Sequence, residues 1–308
     1  MKLVTFEKNA QQAIGILEGN QISVLEGSAN PAFASMLALI ESGDEGLAAA
    51  RAAQSAAPKE DVAAVRLKAP VPVPVQMRDC LVFEQHLRQA RANRYLWDPK
   101  ATKMNPEDFK MPQVWYDQPI YYKGNRFSVS GPEDEIIWPK GETRLDFELE
   151  LGMFVGKGGC DIPKEQAMDH VFGFTCFNDF SARDHQMKEG AGGLGPAKGK
   201  DFRTGNAMGP CLVTKDEIGD GSGLTMVARI NGEEWSRGTS SDMNHSFARI
   251  IEHVSRDENL QAGEFLGSGT VGGGCGLELG RFLNPGDIVE LDIEGIGVLR
   301  NRIAGARR

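Results

Sequence analysis

The segment 145–152 most constrains this chain, because it places Glu148 and Glu150 two positions apart among apolar residues. The pattern continues into the apolar run 153–155 and predicts a β-strand. Alternate side chains of a strand share a face, which puts both glutamates and Asp146 together. Three carboxylates on a buried face repel each other and resist desolvation unless a hard divalent cation lies among them. A solvated acidic face is the alternative.

A second segment, 174–186, favours a bound cation over a solvated acidic face. It places Asp179 inside an apolar strand-like run, and Arg183 and Gln186 follow at helical spacing. With Glu148 and Glu150, these residues resemble the metal-binding core of the fumarylacetoacetate hydrolase family. That core has a Glu-x-Glu strand, then an aspartate followed by Ser/Thr-Ala-Arg-Asp, then a Gly-Lys loop that ends in Gly-Pro. The matching segments are 148–150, 179–184, 199–200 and 209–210, with further likeness at 267–270, 285–287 and 294–301.

The resemblance implies a metal centre built from carboxylates. Glu148, Glu150 and Asp179 would bind the ion, and Asp79 stands where larger members of the family have a fourth ligand. The implied ion is Mg2+, with Mn2+ and Ca2+ as alternatives, because these cations prefer oxygen ligands.

The resemblance also implies a catalytic base. His86 follows Asp79 at the spacing that the larger hydrolases of the family use, and a histidine base needs a carboxylate to orient it. Glu278, in the Leu-Glu-Leu of 277–279, matches the family's orienting glutamate. Smaller members use a glutamate three residues after the histidine, but that position is Gln89 here. A surface or core histidine is the alternative for His86.

Four further side chains are candidates for contact with substrate, and one more is a candidate for catalysis. Lys200, in a glycine loop, would stabilise an oxyanion, or it is a solvated cation. Arg183 and Gln186 would hold a substrate carboxylate or carbonyl, or they form a structural network under the metal. The resemblance alone indicates Tyr122 and Thr270.

The substrate-selecting lid is predicted in residues 90–118. This segment combines cationic and aromatic side chains, namely Arg91, Arg94, Tyr95, Trp97 and Trp115.

Residues 1–70 are predicted to form a small N-terminal α+β domain of three short strands followed by an Ala- and Leu-rich helical segment at 31–57. Alternating prolines at 70–74 cannot support a helix and favour extended chain, which places the domain boundary there. Residues 71–308 form the predicted catalytic domain. For this domain the resemblance implies a β-rich α+β fold, a mixed β-roll around the metal site, and a homodimeric assembly.

Composition excludes other classes of function. The net charge of −9 argues against nucleic acid or an anionic membrane surface as the main partner, and no apolar run is long enough to span a bilayer. The five cysteines are odd in number and lack Cys-x-x-Cys spacing, which indicates reduced thiols. Because the N-terminus also lacks a signal-peptide pattern, we expect a cytoplasmic protein.

The activity that the resemblance implies is hydrolysis of a carbon–carbon bond in a small β-diketo acid, such as fumarylacetoacetate or an acylpyruvate, by water activated through His86 and Glu278. Such reactions belong to aromatic catabolism. An oxo-acid decarboxylase, hydratase or isomerase on the same metal site is the alternative, because a fold does not fix a function. A third interpretation is a metal-stabilised binding protein without catalysis.

Overall fold

The computed structural model describes residues 1–96, 98 and 100–305. Its strands are β1 (Lys2–Lys8), β2 (Gln11–Glu18), β3 (Gln21–Leu25), β4 (Lys59–Asp61), β5 (Arg66–Leu67), β6 (Met77–Cys80), β7 (Tyr121–Gly124), β8 (Val129–Ser130), β9 (Glu135–Ile136), β10 (Leu145–Asp146), β11 (Leu149–Val155), β12 (Val171–Asp179), β13 (Ser181–Ala182), β14 (Asn206–Thr214), β15 (Thr225–Ile230), β16 (Glu233–Thr239), β17 (Phe265–Gly267), β18 (Ile288–Ile293) and β19 (Gly297–Ile303).

The α-helices are short. They are α1 (Met36–Glu41), α2 (Gly43–Ala53), α3 (Glu84–Ala92), α4 (Gln113–Asp117), α5 (Lys164–Ala167), α6 (Arg183–Gly190), α7 (Lys215–Ile218), α8 (Phe247–Val254) and α9 (Gly276–Leu279). Single turns of 3-10 helix lie at Pro31–Phe33, Val62–Ala64, Asn93–Leu96, Pro106–Asp108, Met168–His170 and Ser240–Asp242. The chain is therefore β-rich α+β, as predicted.

One large mixed sheet organises the molecule. Its strands lie in the order β4-β3-β2-β1-β14-β12-β11-β17-β6-β7, with β5 beside β1 and β8 beside β14. A second sheet has the order β16-β15-β18-β19-β9, and β10 pairs with β13. The strands β11 and β12 are buried along their whole length, so the centre of the large sheet can hold groups that water does not reach.

The N-terminal strands join this large sheet directly. Lys2 and Leu3 of β1 pair with Val213 and Leu212 of β14, and the three predicted strands of this region are all present. The division into domains at residue 70 stays a prediction.

The segment 31–57, predicted to be helical, contains separate helices. The segment forms a 3-10 turn and then α1 and α2, which are separate helices. The break is at Gly43, whose φ of 55° is left-handed. The Ser42 hydroxyl donates to the carbonyl of Ala38 at 2.7 Å beside it. A pattern of Ala and Leu indicates helix, but it does not locate such an interruption.

No helix among the described residues is long and apolar enough to cross a membrane. All five cysteines are unpaired, and they lie within the described ranges. The cytoplasmic location and the homodimer stay predictions.

Candidate metal centre and active site

Four neighbouring strands of the large sheet bring Asp79, Glu150 and Asp179 together. In β6, Asp79 lies in register with Gly267 of β17, and β17 pairs in turn with β11, which holds Glu150. On the other side of β11 lies β12, which ends at Asp179. Residues separated by up to 100 positions therefore meet at one place in the sheet.

Asp79, Glu150 and Asp179 form a compact cluster, in which one oxygen from each lies within 4.8 Å of the others. All three side chains are buried. Glycine at position 267 permits this approach, because a Cβ there would stand 2.2 Å from Asp79 Oδ1. The amide of Gly269 then donates to Asp79 at 3.2 Å and to Glu150 at 3.1 Å.

Glu148 lies beside this cluster and is held by two cations. It falls in the break between β10 and β11, where its Oε1 accepts from Arg183 at 2.8 Å. Its Oε2 accepts from Lys200 Nζ at 2.6 Å. The same ammonium donates to Asp179 Oδ2 at 2.6 Å, so Lys200 bridges Glu148 to the cluster. The two predicted glutamates are thus both at the site, but in different surroundings.

Asp146 lies beside Glu148, since both carboxylates accept from Arg183 Nη2, but it is not part of the cluster. Its Oδ2 accepts from Arg183 at 2.7 and 2.9 Å, and its Oδ1 accepts from the amide of Gly276 at 2.7 Å. Asp146 fixes Arg183 and the start of α9.

Burial and mutual repulsion disfavour the ionised form of the three acids in the cluster. They raise the pKa of Asp79 to about 7 and that of Glu150 well above its ordinary value. The pKa of Asp179 rises to about 6, with burial as the main cause. Although burial also acts on Glu148, the charges of Lys200 and Arg183 hold its pKa well below the ordinary range.

The cluster fits a hard divalent cation. Its donors are carboxylate oxygens, and Asp179 Oδ1 is buried without a hydrogen-bond partner among the described residues. A bound cation would satisfy that oxygen and favour the ionised form of all three acids. Direct coordination by Glu148 would require its ion pair with Lys200 to rearrange.

His86 and Glu278 form the predicted pair. His86 Nδ1 lies 2.9 Å from Glu278 Oε2, and Glu278 Oε1 accepts from the amide of Gly273 at 2.7 Å. Burial lowers the pKa of His86, but the Glu278 carboxylate outweighs it, so the pKa is raised overall. This contact leaves Nε2 as the ring nitrogen available to a molecule in the adjoining cavity.

The sequence interpretation missed Cys275, which lies beside this pair. Its Sγ is 3.3 Å from Glu278 Oε2 and 3.9 Å from His86 Nδ1. Cys275 immediately precedes α9, and Glu278 follows it by three residues. Side chains at this spacing in a helix are neighbours, so the spacing could have indicated the contact.

The four predicted substrate contacts all have protein partners. Arg183 Nη1 donates to Gln186 Oε1 at 2.8 Å, so these two side chains bind each other. The Tyr122 hydroxyl donates to Asp179 at 2.6 Å, and the Thr270 hydroxyl donates to Glu150 at 3.3 Å. These contacts favour the structural network for Arg183 and Gln186, and their binding of substrate stays a prediction.

A cavity of about 820 Å³ connects the cluster, Lys200 and His86. The predicted lid contributes Arg91, Arg94 and Lys100 to its wall, and the segment 186–196 closes the other side. Trp115 is buried and donates to the carbonyl of Leu81. Trp97 lies outside the described residues.

The fold and this arrangement define a class of enzyme that holds a divalent metal through carboxylates at the centre of a mixed sheet. The sequence model described as Fumarylacetoacetate (FAA) hydrolase C-terminal matches residues 78–304. The chain belongs to the fumarylacetoacetate hydrolase family, as the motifs predicted.

Relatives in this family have different activities. The chain is 31% identical to oxaloacetate tautomerase YisK of Bacillus subtilis over 98% of its own length and 100% of that protein. Fumarylacetoacetate hydrolase from psychrophilic Exiguobacterium antarcticum has a TM-score of 0.77 at 27% identity over 100% of both chains. Maleylpyruvate hydrolase from Sphingobium sp. SYK-6, in complex with manganese(II) and pyruvate, has a TM-score of 0.76 at 21% identity over 100% of both chains, which shows a common fold alone.

Divalent metal is expected to stabilise the protein more at about pH 8 than at about pH 5. The carboxyl groups of Asp79 and Asp179 titrate near 3.8 ordinarily, but their pKa values in the fold are about 7 and about 6. Between these limits the metal-free fold binds more protons than the unfolded chain, so its free energy of unfolding falls as pH rises. A bound cation removes that loss. Thermal unfolding across this range with and without Mg2+ checks the expectation, and a gain independent of pH would contradict it.

Proposed function

We propose that this protein is a divalent-metal-dependent tautomerase that interconverts the keto and enol forms of a small 2-oxo dicarboxylate. The observation on which this rests is the His86–Glu278 pair, because His86 lines the same cavity as Asp79 of the carboxylate cluster. The oxaloacetate tautomerase that aligns with nearly the whole chain supports the reaction class. The comparisons also favour an enzyme over a binding protein without catalysis.

In this proposal Asp79, Glu150 and Asp179, with Glu148 as a further ligand, would hold a divalent ion, which would supply Lewis acidity at the substrate carbonyl. His86 Nε2 removes a proton from the carbon beside that carbonyl. Glu278 stabilises the resulting imidazolium through Nδ1–H. Return of the proton to oxygen or to carbon completes the interconversion.

The cations of the cavity select a dicarboxylate. Lys200 is buried and already donates to Glu148 and Asp179, so it anchors the acidic cluster before substrate arrives. Arg91, by contrast, lines the cavity and has no ion-pair partner among the described residues. An unpaired guanidinium in a cavity wall suits the distal carboxylate of the substrate.

Hydrolysis of a carbon–carbon bond in a β-diketo acid is the second candidate. The cavity of about 820 Å³ is far larger than a four-carbon diacid needs, and one structural relative at 27% identity is a fumarylacetoacetate hydrolase. In that reaction His86 Nε2 would remove a proton from water, and Lys200 would stabilise the oxyanion formed by attack on the carbonyl.

One pair of measurements separates the two reactions. The protein with Mg2+ or Mn2+ is mixed with oxaloacetate and with an acylpyruvate in water labelled with oxygen-18. We expect the enol of oxaloacetate to disappear faster than without enzyme and no labelled acid to form. Labelled carboxylic acid from the acylpyruvate would establish hydrolysis. Release of carbon dioxide as the main product would contradict both candidates.

Replacing Arg91 by methionine is expected to raise KM for oxaloacetate by roughly 10- to 100-fold, because a charge-assisted hydrogen bond to the distal carboxylate is lost. The kcat should change little, since Arg91 does not contact the reacting carbon in this proposal. Steady-state kinetics on oxaloacetate and on a monocarboxylic 2-oxo acid check this result.

The matched control is Arg88→Met on the same helix. Arg88 pairs with Glu84 and donates to the carbonyl of Phe109, and it does not line the cavity. The KM of Arg88→Met for oxaloacetate should stay within about twofold of the wild-type value. An equal loss in both variants, or an equal loss for the monocarboxylate, would contradict the assignment of Arg91.

A further inference from the structure

We propose a second metal site, formed by His86, Cys275 and Glu278, that binds Zn2+ or a similar soft divalent ion and switches off the catalytic base. The three side chains offer one nitrogen, one sulfur and one carboxylate oxygen within 4.8 Å of one another. All three are buried. This mixed donor set is typical of zinc, whereas the neighbouring cluster contains oxygen alone.

The distances suit tetrahedral zinc. Bond lengths of about 2.0–2.3 Å from zinc to nitrogen, oxygen and sulfur require ligand atoms roughly 3.3–3.6 Å apart. The pairs measure 2.9 Å for His86–Glu278, 3.3 Å for Cys275–Glu278 and 3.9 Å for Cys275–His86. Shifts of about half an ångström would therefore give tetrahedral spacing, with water as the fourth ligand.

The surroundings permit the ion to enter. The chain just before Cys275 is a run of glycines, and Gly272 and Gly273 are half-buried. The amide of Gly273 donates to Glu278 and holds the carboxylate that would become a ligand. His86 itself lines the cavity, so one ligand of the site is reached from there.

Binding exchanges a proton for the metal. The Cys275 thiol loses its proton and becomes a thiolate ligand, and burial, which raises the pKa of this thiol, makes the exchange costly for a weakly binding cation. Mg2+ does not favour sulfur, but Zn2+ and Co2+ do. The same protein can therefore hold Mg2+ at the carboxylates and a softer ion behind His86.

Occupation of this site disables the base. A metal on His86 Nδ1 uses the lone pair of that nitrogen, so the remaining ring proton resides on Nε2. Nε2 then donates and cannot accept a proton from substrate. This consequence rests on the proposed function, whereas the metal site itself does not.

Cobalt tests the site without reference to activity. Protein saturated with Mg2+ is titrated with Co2+, and we expect the near-ultraviolet charge-transfer band of a cobalt thiolate, which added Zn2+ abolishes. In Cys275→Ser the band should be absent and Co2+ affinity at this site at least about tenfold weaker. Cys80→Ser is the matched control, because Cys80 is also buried and lines the same cavity. It should keep the band.

A band that is absent from the wild type, or that persists in Cys275→Ser and disappears in Cys80→Ser, would overturn the site. Should either variant unfold, X-ray absorption of the zinc-loaded wild type decides: one sulfur at about 2.3 Å supports the site, and no sulfur contradicts it. In the functional arm, Zn2+ should lower kcat of the Mg2+ enzyme by roughly 100-fold with little change in KM. A cobalt band without this inhibition would support the site and contradict the role of His86.

Discussion

Replacing His86 by asparagine is expected to lower kcat by roughly 10²–10⁴-fold while Mg2+ binding is retained. In the proposed mechanism the imidazole moves the proton, and its contacts are to Glu278 and Cys275, not to the carboxylate cluster. Steady-state kinetics on oxaloacetate and calorimetric titration with Mg2+ measure the two effects. The control is His253→Asn, because His253 does not line the cavity and its loss should leave kcat within about twofold.

The pH dependence of kcat/KM tests the role of Glu278, the partner of His86. The base acts when His86 is neutral, so kcat/KM should rise with pH through a pKa above the ordinary value of 6.5. Glu278→Gln removes the charge that raises this pKa, and the rise should move to lower pH. Because the two residues act as a unit, their effects should not add. The kcat of the double variant should lie within about threefold of the kcat of His86→Asn. An unchanged pH profile in Glu278→Gln would show that the pair does not act as proposed.

Replacing Glu150 by glutamine is expected to reduce activity by roughly 1000-fold and to change stability in opposite directions with and without metal. In metal-free protein a buried group with a raised pKa is replaced by a neutral amide, so the melting temperature at about pH 8 should rise. The further gain that Mg2+ gives the wild type should be lost. Thermal unfolding at equal protein concentration, with Mg2+ and with chelator, separates the two effects.

Glu264→Gln is the matched control for this expectation. Glu264 is also buried but pairs with Arg78. Its loss leaves that arginine with a weaker partner and should cost about 3 kcal/mol whether or not Mg2+ is present. If Glu150→Gln behaved like this control, the carboxylate cluster would be a structural ion network and not a metal centre.

Much of the site was predictable because chemistry restricted the residue types. Acids in apolar strands are costly without a cation, so Glu150 and Asp179 were recognisable locally. The pairing of His86 with Glu278 came from resemblance, because the sequence contains no sign that two positions 192 residues apart meet at 2.9 Å. The fold places α3 beside α9, and spacing alone does not predict this.

Other features depended on geometry that sequence patterns do not encode. Asp146 accepts from Arg183 and from the amides of Gly276 and Leu277, and it does not join the metal cluster. Lys200 was predicted at the site, but its bridge between Glu148 and Asp179 was not, because the sequence does not show which carboxylates a buried loop lysine contacts. In both cases the partners are distant in the sequence, and local patterns do not specify them.

The contacts of Asp146 have a consequence for how this architecture diversifies. One carboxylate ties the arginine behind Glu148 to the first turn of α9, the helix that contains Glu278. The ion-binding half and the proton-transferring half of the site therefore share a rigid support. The cavity wall around Arg91 is not part of this support. Selection for a new substrate would act on that wall, and substitutions at Asp146 would disturb both halves at once.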